Sequence, residues 1–460
     1  STMPWSVFAT GNMCENGDSC TVHVAAITSN EITTHYDTLQ EALTAASGTS
    51  SSYAQVKLLK DTTENVVIES GKYITLDLNG FTLSGGTDYD EEGQQTEHYN
   101  KAALTNKGRV KIVDTSTLQT GTIKRDDTGK VVPGASEENS SYYVIDNQAG
   151  LIRIEGGTIT NDSDYTPESG GIDGSSLIRN GGVAGSYPTL TIAGGRIYQA
   201  DFIAIKNDDY GTLWVTGGTV KSESSSAIQN WRTATINGGT VNGTVYTSVW
   251  NEDFPNSRTT IEEDAVVNGL IYAGKYSSDI SKIPTINIQG GMLNVSWDIR
   301  DNAEVSITGG TFNSAVPEEY CEDGYSIQEN GNGAYTVMKT IVAEVTAPGG
   351  QTTQYGTLNT AFTEAVTGST IKLLKDVNPT DLTSSAAVGS GKVLTLNLNG
   401  HTITSNRTAF RVTNGGTLTV TGTGTIKAIR NGSNNADAFE VSGNNFAPAW
   451  ENTSYTSTLT

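Results

Sequence analysis

The sequence predicts an all-β fold, a right-handed parallel β-helix (solenoid) with coils of about 19–26 residues. Three observations predict it: a repeated double-glycine phrase, a repeated apolar-x-Asn phrase, and a composition rich in Thr, Asn and Gly. Charged residues make up only 17% of the chain, against about 25% in ordinary domains. Because β-branched Thr favours strands while Gly and Asn favour turns, this composition is typical of β-rich proteins.

The double-glycine phrase recurs six times, and each copy alternates apolar and polar residues on both sides of Gly-Gly. Alternation with a period of two indicates strands with one buried face. Repeats this short cannot bury that face alone, so each must stack on its neighbours. An antiparallel sandwich would instead show hairpin signals between the strands. The copies are LIRIEGGTIT (151–160), TLTIAGGRIY (189–198), TLWVTGGTVK (212–221), TATINGGTVN (233–242), TINIQGGMLN (285–294) and EVSITGGTFN (304–313).

The apolar-x-Asn phrase precedes most of these copies. Residues i and i+2 of a strand share one face, so each Asn is expected to point inward with its apolar partner. We predict a ladder of buried amides that bond to one another and to the turn backbone; the alternative is a row of ligand-binding Asn residues. The ladder positions are Asn106, Asn147, Asn180, Asn207, Asn230, Asn251 and Asn414, with Asp301 as a variant.

A longer unit occurs twice in the chain. Residues 36–43, 57–61 and 70–84 return as 355–362, 372–376 and 390–404. Thr38 and Glu41 form a capping box, and the apolar residues that follow lie on one helical stripe. We therefore predict a short N-terminal helix in each copy that covers the open end of a solenoid.

The duplication predicts three regions. Residues 1–35 form a lead segment, and residues 36–340 form a first β-helix module that ends in a capping hairpin at 325–337. Residues 341–460 begin a second module that stops inside a coil. The chain is therefore expected to be a monomeric module within a longer protein.

These motifs together resemble a known group of proteins. The string Y-x-TLxxAxxxA, followed by LLKD, SGKxxTLxLNG and repeated TIxGGT, is similar to the modular β-helix regions of large surface proteins of Gram-positive, often gut-dwelling, bacteria. The resemblance covers nearly all of the chain after residue 30. It implies a pectate-lyase-like superfamily fold, secretion or cell-wall attachment, and a role as an adhesin. The implied partners are host glycans, mucins or host proteins such as immunoglobulins.

The charge and the cysteines limit the partners and the compartment. With 28 Lys and Arg against 50 Asp and Glu, the net charge is −22, which disfavours nucleic acid and anionic membranes. No segment reaches the roughly 18–20 apolar residues of a membrane span, so membrane insertion is not expected. Cys14 and Cys20 bracket a short polar loop and could form a local disulfide in an oxidising compartment; the alternative is that they remain thiols.

An enzyme of β-helix fold, a polysaccharide lyase or a glycoside hydrolase, is the first alternative. A lyase needs a Ca²⁺-binding carboxylate cluster and a base, and a hydrolase needs converging carboxylates. The acidic pairs of this chain lie mostly in loops with no common register, which favours a non-catalytic binding module. A structural stalk that presents another domain is the second alternative.

Two features are candidate binding sites. If the Asn residues point inward, a set of aromatic and charged residues points outward, with Trp231 and Trp250 about 5 Å apart on adjacent coils; the alternative is that both indoles pack under long loops. The candidate ligand-binding residues are Trp231, Trp250, Arg232, Lys206, Asp208, Glu252, Asp253 and Arg300. The acidic insertion at residues 89–99 could bind Ca²⁺, although a solvated loop is the simpler interpretation; no other cofactor or metal site is expected.

Overall fold

The computed structural model describes residues 20, 22–86, 90, 92, 94–99, 101–125, 143–161, 176–200, 202–432, 435–442 and 458–459. Over these residues the chain is all-β, with two short α-helices. Most strand pairs are parallel, which confirms the predicted class and is consistent with a solenoid. The chain divides into a first unit, residues 1–322 and 327–338, and a second unit, residues 323–326 and 339–460.

The elements that begin before residue 340 are short strands and one helix, with a 3₁₀ turn at Glu318–Tyr320. In chain order they are β1 (Ala25–Ser29), β2 (Ile32–Tyr36), α1 (Leu39–Ala45), β3 (Ala54–Leu58), β4 (Thr62–Thr63), β5 (Val66–Ile68), β6 (Tyr73–Asp77), β7 (Thr82–Gly85), β8 (Leu104–Asn106), β9 (Arg109–Val113), β10 (Thr122–Arg125), β11 (Ile145–Asn147), β12 (Leu151–Ile154), β13 (Thr158–Asn161), β14 (Ile178–Asn180), β15 (Thr189–Ile192), β16 (Arg196–Gln199), β17 (Ile205–Asn207), β18 (Thr212–Asn230), β19 (Thr233–Thr247), β20 (Arg258–Ile261), β21 (Val266–Ala273), β22 (Thr285–Ile288), β23 (Met292–Ile299), β24 (Glu304–Ile307), β25 (Thr311–Phe312), β26 (Tyr325–Glu329) and β27 (Tyr335–Lys339).

The parallel strands of the first unit form three columns, because each strand from β3 to β15 pairs with the strand three places further along the chain. Column A contains β3, β6, β9, β12 and β15, and column B contains β4, β7, β10, β13 and β16. Column C contains β5, β8, β11, β14 and β17. The long strands β18 and β19 run through all three columns, and β21 and β23 continue columns B and C. The core is the stack of alternate, fully buried apolar side chains from each column.

The double glycines lie where column A turns into column B, and each of the two glycines is required for a different structural reason. A Cβ on Gly238 would lie 2.2 Å from the carbonyl oxygen of Thr216 on the coil below. Gly239 has φ +69°, a conformation that side-chain-bearing residues rarely adopt. The turn therefore needs one glycine for close approach and one for its backbone conformation.

Five of the seven predicted Asn residues form a continuous buried ladder in column C. Each amide nitrogen donates to the carboxamide oxygen of the Asn on the next coil: Asn106 to Asn147 at 2.9 Å, Asn147 to Asn180 at 2.8 Å, Asn180 to Asn207 at 2.8 Å and Asn207 to Asn230 at 2.9 Å. All five side chains are fully buried. Further bonds from the amides to backbone carbonyls at or just before the first residues of the column A strands satisfy N–H groups that would otherwise be buried without a partner.

Asn251 is not a member of the ladder, contrary to the prediction. The register pairs Asn230 with Thr247, four residues earlier in the chain than Asn251. The Thr247 hydroxyl lies 2.6 Å from that of Thr259, which accepts a hydrogen bond from the Asn230 amide at 2.9 Å. Hydroxyl groups thus end the ladder, while Asn251 lies in a turn and accepts from the backbone N–H of Asp253.

Asn414 and Asp301 are also outside the ladder. In the second unit the strand register places Val412 beside Val388, and Asn414 is an exposed turn residue with φ +50°. Asp301 is likewise exposed, with φ +57°. At these three positions the phrase apolar-x-Asn marks a turn, to which Asn is also well suited.

The helix α1 is held at both ends by charged side chains. Thr38 caps its N-terminus by accepting from the backbone N–H of Glu41 at 3.1 Å, which is the Thr38 half of the predicted capping box. The Glu64 carboxylate accepts hydrogen bonds from two backbone N–H groups of the first turn, at 2.9 and 3.0 Å. The Lys72 ammonium donates to two carbonyls at the C-terminal end, at 2.6 and 2.7 Å. A negative group at the N-terminal end and a positive group at the C-terminal end match the helix dipole.

The second unit repeats this beginning with a 3₁₀ turn at Pro379–Asp381 added. Its elements are β28 (Ala343–Thr346), β29 (Thr352–Tyr355), α2 (Leu358–Glu364), β30 (Ser369–Leu373), β31 (Ala386–Val388), β32 (Val393–Asn397), β33 (Thr402–Ser405), β34 (Phe410–Val412), β35 (Thr417–Thr421), β36 (Thr425–Ala428), β37 (Phe439–Val441) and β38 (Thr458–Leu459). Three parallel columns again follow: β30, β32, β35 and β38; β33 and β36; and β31, β34 and β37. Thr357 caps α2, and Lys392 donates to its C-terminal carbonyls at 3.1 and 3.2 Å.

The segment predicted as a capping hairpin contains β26 and β27. The backbone N–H of Asn330 donates to the carbonyl of Ala334 across the intervening turn, at 2.8 Å. The strand β27 pairs antiparallel with β25, the last parallel strand of column B. Parallel stacking in that column therefore ends at β25.

The cysteines are only partly described. Cys20 is buried and disulfide-bonded, and Cys321 is a free thiol. Burial and the charge of Glu318 raise the pKa of the Cys321 thiol. Cys14, the predicted partner of Cys20, lies outside the described residues.

Candidate ligand-binding face

The outer face of column C changes in character along the first unit. Each three-residue strand segment of the column places its middle side chain outward, in register with the coils on either side. With neighbouring strands about 4.8 Å apart, these side chains form one continuous strip. In order they are Val67, Thr105, Asp146, Arg179, Lys206, Gln229, Tyr246, Tyr272 and Asp298.

The early part of this strip lines a groove with a volume of about 600 Å³, here called the charged groove and defined by Tyr143, Asp146, Arg179, Lys206 and Asp208. Arg179 lies between two carboxylates, with its Nη1 3.3 Å from Asp146 and its Nε 3.1 Å from Asp208. The Lys206 ammonium is 3.9 Å from Asp208. All four ionic side chains are half-buried, which fixes their positions but leaves polar edges open to a ligand.

Burial and mutual charge shift the pKa values in this groove. Burial raises the pKa of Asp146 and raises that of Tyr143 to about 12. Burial opposes the charge on Arg179, but the two neighbouring carboxylates outweigh it and raise its pKa. Beside the groove, burial and the charge of Asp208 raise the pKa of Asp209 to about 6. One oxygen of Asp209 is buried without a hydrogen-bond partner among the described residues.

The later part of the strip carries a group of rings, here called the aromatic cluster and defined by Trp231, Tyr246, Trp250, Tyr272 and Tyr276. Trp231 lies at its centre, with ring centroids 5.5 Å from Tyr246, 5.9 Å from Trp250 and 5.8 Å from Tyr276. Tyr246 and Tyr272 stack at 4.6 Å with nearly parallel planes. Trp250 and Tyr276 lie 4.4 Å apart and are the exposed members, at 43% and 55%.

Trp231 packs beneath the other rings of this cluster. The sequence predicted it as an exposed contact residue, but it is buried. It is only 6% exposed, and its indole N–H donates to the side-chain oxygen of Gln229 at 3.0 Å. The chain turns directly after Asn230, which folds the indole back under Trp250. Of the two predicted tryptophans, therefore, only Trp250 faces solvent to any large extent.

The other predicted residues fall into separate places. Arg232 donates to the backbone carbonyl of Asp209 at 3.4 Å. Glu252 is exposed and accepts from the backbone and hydroxyl of Ser281, which lowers its pKa. Asp253 is exposed in the turn after Trp250.

Arg300 lies at the far edge of the cluster. It forms a two-point ion pair with Asp298, with both distances 2.9 Å, and its guanidinium lies 5.5 Å from the ring centroid of Tyr272. The structure thus brings Lys206 and Asp208 together and places Trp250 near Trp231. Glu252, Asp253 and Arg300 contribute to neither the charged groove nor the exposed rings.

Four aromatic residues of the face were not among the sequence candidates: Tyr143, Tyr246, Tyr272 and Tyr276. For two of them a signal existed. The triplets Val245-Tyr246-Thr247 and Ile271-Tyr272-Ala273 occupy the register of apolar-x-Asn. A pattern that allowed Thr or Ala in place of Asn would have found both outward tyrosines.

The described residues contain no group of three or more His, Cys, Asp or Glu side chains that could hold a metal ion. The acidic insertion at 89–99 is described only in part. There the Asp90 carboxylate accepts the backbone N–H groups of Glu92 and Gln94, at 3.0 and 2.8 Å. Ca²⁺ binding by this insertion stays a prediction.

Among the residues that the structure describes, no helix is long and apolar enough to span a bilayer. In comparisons with known proteins, no family model, no curated protein and no solved structure matches this chain.

Proposed function

We propose that the chain is a non-catalytic, extracellular carbohydrate-binding module of a bacterial surface adhesin. One observation carries the proposal: two exposed rings, Trp250 and Tyr276, lie over a buried third ring, Trp231, on the face that also carries the charged groove. Rings held in place from beneath lose little side-chain entropy when a ligand stacks on them. Sugars present an apolar C–H face and a polar hydroxyl edge, which suit such rings and fixed polar groups respectively.

The pairing of the charges in the charged groove favours a polyhydroxylated ligand over an ionic one. Arg179 is already paired with two carboxylates, and Lys206 lies near one of them. Asp146, Arg179, Lys206 and Asp208 compensate one another, so these four offer little net attraction to an ion, and Lys101 is the one further charged residue of the lining. They still offer fixed donors and acceptors, and hydroxyl groups can satisfy both.

The proposal includes the finer description of the fold. We propose that columns A, B and C close into a right-handed parallel β-helix in the first unit, and that the second unit begins another one. Its support is the return of the chain to the same column every third strand, together with the strong preference of parallel crossovers for the right hand.

The proposed location outside the cell has two supports. Cys20 is disulfide-bonded, and disulfides persist mainly in oxidising compartments. The net charge of −22 keeps such a protein soluble. A host glycan, such as a mucin glycan, is the proposed partner, and a host protein of immunoglobulin type is the alternative partner.

A glycoside hydrolase is a second candidate, favoured by one observation. The pKa of Asp209 is raised to about 6, so this carboxyl can hold a proton near neutral pH, as a general acid must. The binding module is preferred because Arg179 engages the two neighbouring carboxylates, Asp146 and Asp208, in ion pairs. Reducing-end release from neutral polysaccharides, lost in Asp209→Asn, would favour the enzyme.

The test is capture on a glycan array and on a panel of secreted host proteins, with the wild-type chain and two tryptophan variants. Trp250→Ala should remove glycan capture. Trp214→Ala is the matched control, because Trp214 is 38% exposed but lies on the outer face of column A. Capture that survives Trp250→Ala, or capture of host proteins alone, would contradict the proposal.

A further inference from the structure

The second unit carries a groove on the strands that correspond to the start of column C. Its volume is about 430 Å³, and its lining includes Ser385, Arg407, Arg411 and Glu440. The strands are β31, β34 and β37, which pair in parallel as β5, β8 and β11 do in the first unit. The larger duplication therefore repeats a groove as well as a helix.

The two grooves match at individual positions. Glu440 is the middle residue of β37, as Asp146 is the middle residue of β11. Arg407 precedes the first residue of β34 by three positions, as Lys101 precedes that of β8, and each lines its groove. Both grooves also contain an arginine paired with the outward carboxylate: Arg411 Nε lies 3.2 Å from Glu440. The shared frame is a basic residue at the entrance and an acidic residue on the strand.

The grooves have the same net charge but differ in the kind and pairing of their cations, since the first is lined by Lys101, Arg179 and Lys206 with Asp146 and Asp208. In the first unit one guanidinium, that of Arg179, is shared between two carboxylates. The lining of the second groove contains two guanidinium groups, of Arg407 and Arg411, and one carboxylate, of Glu440. The Nε of Arg407 has no hydrogen-bond partner among the described residues. Both linings therefore carry an excess of one positive charge, but the second presents two guanidinium groups to a single carboxylate, in a chain that is otherwise strongly acidic.

We propose that the groove of the second unit is a separate binding site for one acidic sugar on an otherwise neutral glycan. A guanidinium presents parallel N–H donors that fit a carboxylate or a sulfate, so the acidic group would lie between Arg407 and Arg411. The hydroxyl of Ser385, which donates to the backbone carbonyl of Thr408, can accept a hydrogen bond from a ring hydroxyl. A polyanion is disfavoured, because the net charge of −22 repels all of its other charges.

The choice of a glycan as occupant rests on the proposed function, but the site itself does not involve the aromatic cluster. The proposed function of the first unit and the proposed site in the second unit can therefore fail separately. Trp250→Ala tests the first unit, whereas substitutions at Arg407 and Arg411 test the second.

The experiment is calorimetric titration of the full chain at low salt with three probes: lactose, 3′-sialyllactose and 3′-sulfolactose. They share one neutral core, and the last two add a carboxylate or a sulfate. We expect at least one acidic probe to bind at least about tenfold more tightly than lactose, a ratio worth about 1.4 kcal/mol, because hydrogen bonds to charged groups are stronger than those to neutral groups. The acidic probe that binds identifies the source of the charge.

The variants Arg407→Gln and Arg411→Gln should remove this preference for the acidic probe, and Trp250→Ala should leave it intact. Arg430→Gln is the charge-matched control, because Arg430 is exposed and outside the groove lining. Arg411 and Glu440 are about half exposed, so losing their ion pair should cost little stability, and unchanged circular dichroism and melting would verify folding. Equal binding of lactose and both acidic probes, no binding of either acidic probe, or a preference lost in Arg430→Gln or Trp250→Ala would overturn the proposal.

Discussion

The indole of Trp231 meets that of Trp250 edge to face, with ring centroids 5.9 Å apart and planes at 88°. One ring is buried and the other is exposed. The two tryptophans therefore have different roles, and substituting them should have different consequences.

Trp231→Ala should destabilise the first unit by about 3–5 kcal/mol, because it leaves a cavity under three rings. Trp250→Ala should change stability by less than about 1.5 kcal/mol, because much of its ring faces solvent, while it removes glycan capture. Chemical denaturation of both variants, followed by binding measurements on the folded protein, checks this. Equal destabilisation by the two variants would contradict the assigned roles.

Breaking the Asn ladder in its middle should be costly. Asn180→Ala removes the acceptor of Asn147 and the donor to Asn207, which leaves two fully buried amides without their partners. At about 1–3 kcal/mol for each unsatisfied group, we expect a loss of about 2–5 kcal/mol in the free energy of unfolding.

Asn251→Ala is the control for the ladder, since Asn251 makes one turn hydrogen bond near the surface. It should cost less than about 1.5 kcal/mol. Urea denaturation of the two variants gives both values, and a cost for Asn251→Ala as large as that for Asn180→Ala would contradict the register described above.

Asp209 should make stability fall as the pH rises. Its folded-state pKa is about 6, raised by burial and by the charge of Asp208 from the ordinary value of 3.8. Between about pH 4 and pH 6 the folded chain holds a proton that the unfolded chain releases, so the contribution of this group to stability is present below pH 4 and is lost by pH 6 and above.

Asp209→Asn removes this titration. The variant should be more stable than the wild type at pH 7.5 and should lose that advantage at pH 4. Denaturation of both proteins across this range measures the difference, in which the contributions of the other carboxylates cancel. A difference that does not change with pH would disprove the assignment.

Two glycine variants separate close approach from backbone conformation. Gly238→Ala forces a Cβ to within 2.2 Å of the carbonyl oxygen of Thr216, so the stacked backbone must shift, at a cost of about 2–3 kcal/mol. Gly185→Ala should cost about 1–2 kcal/mol, because φ is +86° but no atom lies within 4 Å of the added Cβ. Thermal unfolding ranks the two, and the opposite ranking would show that stacking tolerates the methyl group.

Much of the fold could be predicted from the sequence because the repeats fix which side chains point inward. Asn106 to Asn230 follow one phrase and occupy one column, as expected. The phrase failed at Asn251 because Thr247 supplies a hydroxyl in place of the amide, which moves the true register by four residues. A pattern that requires Asn cannot detect this replacement, because Asn and Thr share only their ability to form hydrogen bonds.

The candidate face was harder to predict. Lys206, Asp208 and Arg179 all flank a ladder Asn, but the ion pair of Arg179 with Asp208 joins adjacent coils and two positions 29 residues apart, which the spacing does not indicate. Whether Trp231 is buried or exposed depends on how the chain turns after Asn230. Residue spacing gives the face of a strand, whereas the direction of a side chain in the turn that follows depends on packing.

The ladder also gives the interior of the first unit a direction. All four amide–amide bonds of the ladder run the same way, with each nitrogen donating toward the C-terminal side, and the last amide, that of Asn230, donates to the hydroxyl of Thr259. Aligned amides polarise one another, so the five side chains act together as a single electric dipole inside the protein. The coils that follow place Thr247, Ala273 and Ile299 at this position, so the dipole ends within the first unit and its two ends are electrostatically different.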